Sequence, residues 1–323
     1  MLRDFDLPLT RLMGWISLLG ILFLSACEAP VSSDPSAAVV VGQVQAILKV
    51  QASAFNPRAK DKVEGAYRLN AKLKVPSDLA PQNKWVMFEG PVLENELIAY
   101  RVYLDSRHRY DIYGKRVYDL VMDTVGWQYH DIMDWGSDIL KVGNSLGMGS
   151  PALWYNDSLY TLSFAGNKLV HLTAESDTFA QYSFDFQQFS IGPHQFNLVQ
   201  TWSLAKGSPW SEVCMFVKGQ NLPEDISFAT GLVNHGMTLD SIRVDGNLKA
   251  YTWGKQSFHK EEMGMALDFA GNEQVFSVQD PYSHAFVIRN DGGKTCYRFM
   301  AAWSRDVQGI TNEEGFRAFL SGE

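Results

Sequence analysis

Between Tyr129 and Gly149 the chain reads YHDIMDWGSDILKVGNSLGMG, which gathers a His, three Asp, a Trp, a Lys and an Asn in one short stretch. An imidazole between carboxylates is acid–base chemistry, because the carboxylates orient the ring and tune its proton affinity. If the segment is helical, His130, Asp134 and Asp138 fall four residues apart on one face. There they would steer the imidazole, hold a divalent cation, or form a hydrogen-bonded polar cluster. Gly136 weakens such a helix. His130 is the leading candidate for base or acid. Lys141 interrupts the apolar run ILKVG, so it either faces a cleft or carries its amine to water along an apolar stem. Trp135 offers a flat face for a sugar ring, or else packs in the core. Tyr129, Asp134, Asp138 and Asn144 complete the polar wall.

A second constellation lies upstream in IAYRVYLDSR. Strand alternation puts Arg101 and Tyr103 on one face and Tyr100, Val102 and Leu104 on the other. A guanidinium is a planar fork that matches a carboxylate, so this face suits an acidic substrate, or else it is a solvated sheet surface. Lys115 ends the same block at an expected loop, where a lysine is usually a surface residue. His235 in LVNHGM and His284 in PYSHAFV are further candidates to line the same cleft.

These residues need elements to position them. Short alternating runs rich in Val, Tyr, Phe and Thr recur along the chain, among them YRLNAKLKV, TFAQYSFDFQQFSI, QFNLVQTWSL and TCYRFMAAW. PHQ, AGN and NDGGK supply turns between them. More than ten such runs predict an all-β protein, a large antiparallel β-sandwich with a few short helices. Helices are expected over two turns at 117–125, briefly at 131–140, and at the amphipathic end NEEGFRAFLSG. No fixed-period repeat is present, which argues against a propeller or solenoid.

The first 27 residues read as a lipoprotein signal: a charged start, the apolar run LMGWISLLGILFLSA, then Leu24-Ser25-Ala26-Cys27, with Cys27 as the lipidation site. Residues 28–40 are a Pro/Ser/Ala tether, and 41–323 form one domain. The expected location is therefore the cell envelope, lipid-anchored in the outer membrane or periplasm. The remaining cysteines, Cys214 and Cys296, either pair as a disulfide or stay as two buried thiols.

The chain has 323 residues and a formal net charge of -8, which argues against a nucleic-acid partner. GNSLGMG lacks the spacing and the following helix of a nucleotide-binding loop, and there is no HExxH, CxxC pair or GxSxG elbow. No cofactor or metal is expected.

EGPVLENELIAYRVYLDSRHRYDIYGKRV, followed by YHDIMDWGSDILKVGNSLGMGS and the closing HAFVIRNDGGKTCYRFMAAW, resembles domain-of-unknown-function family 4861. Its members are secreted or lipid-anchored bacterial proteins of polysaccharide use. The resemblance implies a sandwich of the mutarotase-like kind acting on uronate-containing acidic oligosaccharides. The implied activity is a dehydratase that removes water from a terminal uronic acid and leaves a 4,5-unsaturated end. Such an elimination needs the substrate carboxylate neutralised, a base at C5 and an acid at the C4 hydroxyl. Arg101 and Lys141 fit the first task, His130 and Tyr103 the others. Trp135, Lys115, Tyr129, Asp134, Asp138, Asn144, His235 and His284 would bind the substrate. The alternatives are a non-catalytic glycan-binding surface lipoprotein and a sugar epimerase or mutarotase.

Overall fold

The computed structural model describes residues 43–57, 66–162, 167–272, 274–289 and 292–322. The signal sequence, Cys27 and the tether lie outside them. The strands run β1 (Val44–Ile47), β2 (Lys49–Gln51), β3 (Tyr67–Leu69), β4 (Lys72–Val75), β5 (Val92–Asn95), β6 (Ile98–Val102) and β7 (Tyr110–Lys115). They continue with β8 (Gly136–Asp138), β9 (Ala152–Tyr155), β10 (Ser158–Thr161), β11 (Asn167–Ser176), β12 (Phe179–Ile191), β13 (His194–Ala205) and β14 (Ser211–Val217). The last are β15 (Ile226–Val233), β16 (Asp240–Val244), β17 (Asn247–Gly254), β18 (Met263–Asp268), β19 (Gln274–Val278), β20 (Ser283–Arg289) and β21 (Thr295–Trp303). Among the described residues one α-helix, α1 (Glu313–Ser321), follows the last strand, with the Asn312 side chain accepting from Gly315 N at its start.

The protein is an all-β sandwich. One layer is a nine-stranded antiparallel sheet, β16-β17-β18-β21-β14-β13-β12-β11-β4. Two five-stranded sheets, β1-β5-β6-β7-β8 and β10-β9-β15-β20-β19, lie against it. Ring contacts mark the packing, with Tyr100 5.0 Å from Phe299, Tyr110 5.1 Å from Trp202, and Phe269 5.2 Å from Phe286. The alternation in β12 points Ala180, Tyr182, Phe184 and Phe186 inward. A register shift before Phe189, with Gln188 at φ 58°, then restores Phe189 and Ile191 to the core. Cys214 and Cys296 face each other across β14 and β21 and form a disulfide, which settles the alternative left open by the sequence.

The glycine-rich run at 143–149 is the seam between the two smaller sheets. Met148 bridges Leu232, Gly149 N donates to Gly231 O at 2.9 Å, and Met148 N donates to Tyr110 O at 3.2 Å. Gly147 has φ 56°, and a Cβ there would stand 2.3 Å from Tyr110 O. Only glycine lets the two backbones meet so closely.

Two expected helices are absent. Residues 117–125 form turns, and 131–140 holds bends followed by β8. The reason is tertiary: Asp138 N donates to Tyr129 O, and the segment after β7 folds back over the outer face of the first small sheet. Its Met122, Val125 and Tyr129 pack there on Ile47, Phe88, Val92, Ala99 and Tyr113.

Candidate functional site

That overlay determines the environment of Arg101. All five residues of β6 are buried. Arg101 and Tyr103 do share a face, as alternation requires, but the face lies under the 117–135 segment. Cross-strand register places Arg101 opposite Asp111. Arg101 Nη2 donates to Asp111 Oδ2 at 2.7 Å, to Asp138 Oδ2 at 2.8 Å and to the Tyr103 hydroxyl at 2.5 Å. Nε reaches Asp111 at 3.1 Å and Nη1 the Phe88 carbonyl at 3.3 Å. The Tyr103 hydroxyl donates in turn to Asp111 Oδ2 at 2.6 Å. Aromatic rings enclose the guanidinium, with Tyr103, Tyr129 and Tyr113 centred 4.4, 5.0 and 5.2 Å from its carbon.

With Nε and Nη2 occupied by the protein's own carboxylates, Nη1 by the Phe88 carbonyl, and the whole side chain buried, Arg101 cannot neutralise a substrate carboxylate. The sequence-based expectation for it is corrected to a positioning role. Burial, and then the neighbouring Asp138, push the Asp111 carboxyl up to about 6, against the pull of Arg101. Burial also raises the Tyr103 hydroxyl well above its ordinary value, so it stays protonated as a donor.

His130 is the exposed end of this network. Its Nδ1 lies 3.3 Å from Asp138 Oδ2, and its side chain is 56% exposed. At this distance the Asp138 carboxylate, which can only accept, favours the tautomer that carries its proton on Nδ1. His130 and Asp134 do not share a helical face with Asp138, since the helix is absent and Asp134 is exposed. Among the described residues these three side chains do not converge as metal ligands.

Around His130 stand residues that the sequence did not single out. Phe258, 47% exposed, lies 6.0 Å from the imidazole. His259 Nε2 is 2.8 Å from Ser137 Oγ, the residue before Asp138. This 257–261 loop is tied down by Phe258 N donating to Ile139 O. On another side Arg107, 30% exposed, covers the Tyr103 ring at 3.8 Å and pairs with Glu89 and Asp105. Lys84 Nζ sits 3.8 Å from the centre of the Trp127 ring. Burial lowers the Lys84 amine, Glu89 raises it, and Arg101 lowers it further.

The other expected residues fall into two groups. Lys141, His235 and His284 are brought together on one rim. His235 Nε2 donates to Lys141 O at 2.9 Å, and His284 Nε2 donates to Met237 O at 3.1 Å. Burial lowers both imidazoles, and the nearby Lys141 and Lys260 lower His235 further, so both rings are neutral at pH 7. Lys260 links this rim to the His130 side through the 257–261 loop. Lys115 and Trp135 belong elsewhere. Lys115 is fully buried at the end of β7, pairs with Glu94 at 2.8 Å and donates to Asn95 O at 2.6 Å, which corrects the expected surface loop. Glu94 also accepts from Val121 N and Met122 N, so this buried pair pins the covering segment. Trp135 is half-buried, 6.3 Å from Tyr113, and packs on the outer cluster. Asn144 is exposed in the 143–144 turn.

The fold and the site define an all-β sandwich with an exposed imidazole wired to a buried Arg–Asp–Tyr network. The chain belongs to the family described as Domain of unknown function (DUF4861), matched over residues 31–323. No curated protein matches it.

Proposed function

We propose that the protein is a carbohydrate-active dehydratase that eliminates water at a terminal uronic acid of an acidic oligosaccharide. The observation that carries this reading is the exposed His130 imidazole, with Nδ1 3.3 Å from Asp138 Oδ2 and Asp138 held by Arg101. His130 takes the C5 proton through Nε2, and Asp138 stabilises the imidazolium that forms. The C5–H and C4–O bonds break, C4=C5 forms, and the imidazolium returns its proton to the departing hydroxyl, which leaves as water. The substrate carboxylate is neutralised from the rim by Lys84, while Lys141 and Lys260 extend positive charge toward the next sugar. Phe258 offers an apolar face for a pyranose ring. Lipid anchorage through Cys27 in the cell envelope is part of the same reading, since it would hold the enzyme where such glycans arrive.

The test is absorbance at the conjugated-enoate band as the protein meets a panel of saturated uronate-ended oligosaccharides. One substrate should give a rising signal, His130→Ala should abolish it without loss of fold, and Lys84→Met should lower kcat as well as kcat/KM, because the carboxylate charge grows as the C5 proton leaves. A flat trace with every uronate would reject the elimination, and measurable binding alongside it would favour a glycan carrier.

A further inference from the structure

A cavity of about 650 Å³ lies at one end of the β10-β9-β15-β20-β19 sheet and shares no lining residue with the His130 cluster. Its floor follows from strand register. Trp154 is opposite Ser227, and Arg289 is opposite Gln274. Phe228 pairs with Ile288, which sets Ser227 beside Arg289. Leu153, Phe228 and Ile288, the alternate residues, point into the main core. Trp154, Ser227, Arg289 and Gln274 therefore form one row across four strands on the outer face.

Trp154 is a half-buried platform, packed with Ala152, Ala229 and Val287 beneath it. The Arg289 guanidinium lies 4.8 Å from the Phe276 ring centre, and no carboxylate among the described residues pairs with it. The walls are acidic. Asp157 comes from the two-residue β9–β10 turn, where Asn156 and Asp157 have φ of 49° and 52° as a hairpin of this length requires. Glu224 and Asp225 come from the connection before β15, and Asp225 is held 2.9 Å from His194 Nε2. Asp157, Glu224 and Asp225 do not converge as cation ligands.

An indole face beside hydroxyl, amide and guanidinium donors, walled by carboxylate acceptors, matches a pyranose: one C–H face to stack and a ring of hydroxyls to bond. Three wall carboxylates against one guanidinium disfavour an anion. We propose that this cavity is a second saccharide site, selective for an uncharged sugar. It stands whether or not the His130 cluster performs elimination. It would hold neutral residues of a mixed glycan while the His130 cluster works on a charged end.

Titration calorimetry of the full chain with neutral gluco-, xylo-, manno- and galacto-configured tetrasaccharides, and with uronate-ended counterparts, tests the proposal. At least one neutral sugar should bind, and Trp154→Ala should weaken it by about tenfold or more, the scale of a lost stacking anchor. Trp154→Phe should keep most of the affinity, which guards against a folding artefact, and His130→Ala should leave it unchanged. Uronate binding should be indifferent to Trp154→Ala. The proposal is overturned if no neutral sugar binds, if neutral binding survives Trp154→Ala, or if Trp154→Ala weakens uronate binding as much as neutral binding.

Discussion

Replacing Arg101 by Met tests the account of the buried network. Met fills much of the same volume but leaves Asp111 and Asp138 sharing a dry pocket without their cation. The lost contacts are the two Nη2 bonds to carboxylates at 2.7 and 2.8 Å, the Nε bond at 3.1 Å, the Nη1 bond to the Phe88 carbonyl at 3.3 Å and the bond to Tyr103. Breaking a fully buried pair from one side costs about 3–5 kcal/mol. In a domain of this size that lowers Tm by about 5–8 °C. The loss must depend on pH with a definite sign. Asp111 already titrates at about 6 in the intact protein, above its ordinary value. A carboxyl raised in this way favours the fold while protonated and works against it as pH rises through the folded value. Without Arg101 the Asp111 carboxyl rises further, so the deficit should be largest near about pH 7.5 and shrink toward about pH 5.5. Thermal unfolding followed by circular dichroism at both pH values measures this, with Arg101→Met/Asp111→Asn recovering part of the loss by removing one charge. A deficit below about 1 kcal/mol at the higher pH, or one that grows on acidification, would refute the reasoning.

Three further outcomes follow from groups remote from His130. Burial brings the Lys168 amine down to about 7, with partial relief from Asp105, so this group's contribution to stability increases as pH rises from about 7 toward its unfolded value. Lys168→Met should therefore stabilise the protein by about 2 kcal/mol at pH 7 and flatten that slope in urea titrations at pH 7 and about 9. Cys214→Ser/Cys296→Ser opens a loop of 82 residues and should cost about 4 kcal/mol, matched by adding reductant to the unaltered protein. Gly90→Ala puts a Cβ 1.7 Å from the Val102 carbonyl oxygen, so the backbone must move and the loss by chemical denaturation should exceed about 3 kcal/mol.

Strand alternation correctly placed Arg101 and Tyr103 on one face, and the same period shaped β12 and β13. It could not say what covers that face. A strand with a polar side ordinarily shows it to water, and here the segment after β7 shuts it in. The same gap misread Lys115, whose partner Glu94 is carried by β5. Helical spacing at His130, Asp134 and Asp138 was a coincidence of sequence, yet His130 and Asp138 do meet, through a bend that brings Asp138 back to Tyr129. Asp111 was missed although it sits in RYDIYGK, because a local reading cannot supply the register that sets it opposite Arg101. His259 and Phe258 arrive from over 120 positions along the chain, as the separation of 122 between Ser137 and His259 shows. No local motif carries that information. The EGP triplet, by contrast, becomes intelligible in hindsight: its glycine passes against the Val102 backbone.

The order of the nine-stranded sheet bears on how the chain acquires its structure. β21 lies between β18 and β14, and it is the last strand made. Until Thr295–Trp303 is available, both neighbours present bare edges, and Tyr100 and Tyr110 lack the Phe299 ring against which they pack. Pairings of such long range are entropically late, so folding should be slow and should close from the C-terminal end. A nascent or truncated chain stopped short of β21 would be a ready template for edge-to-edge aggregation rather than a smaller working domain.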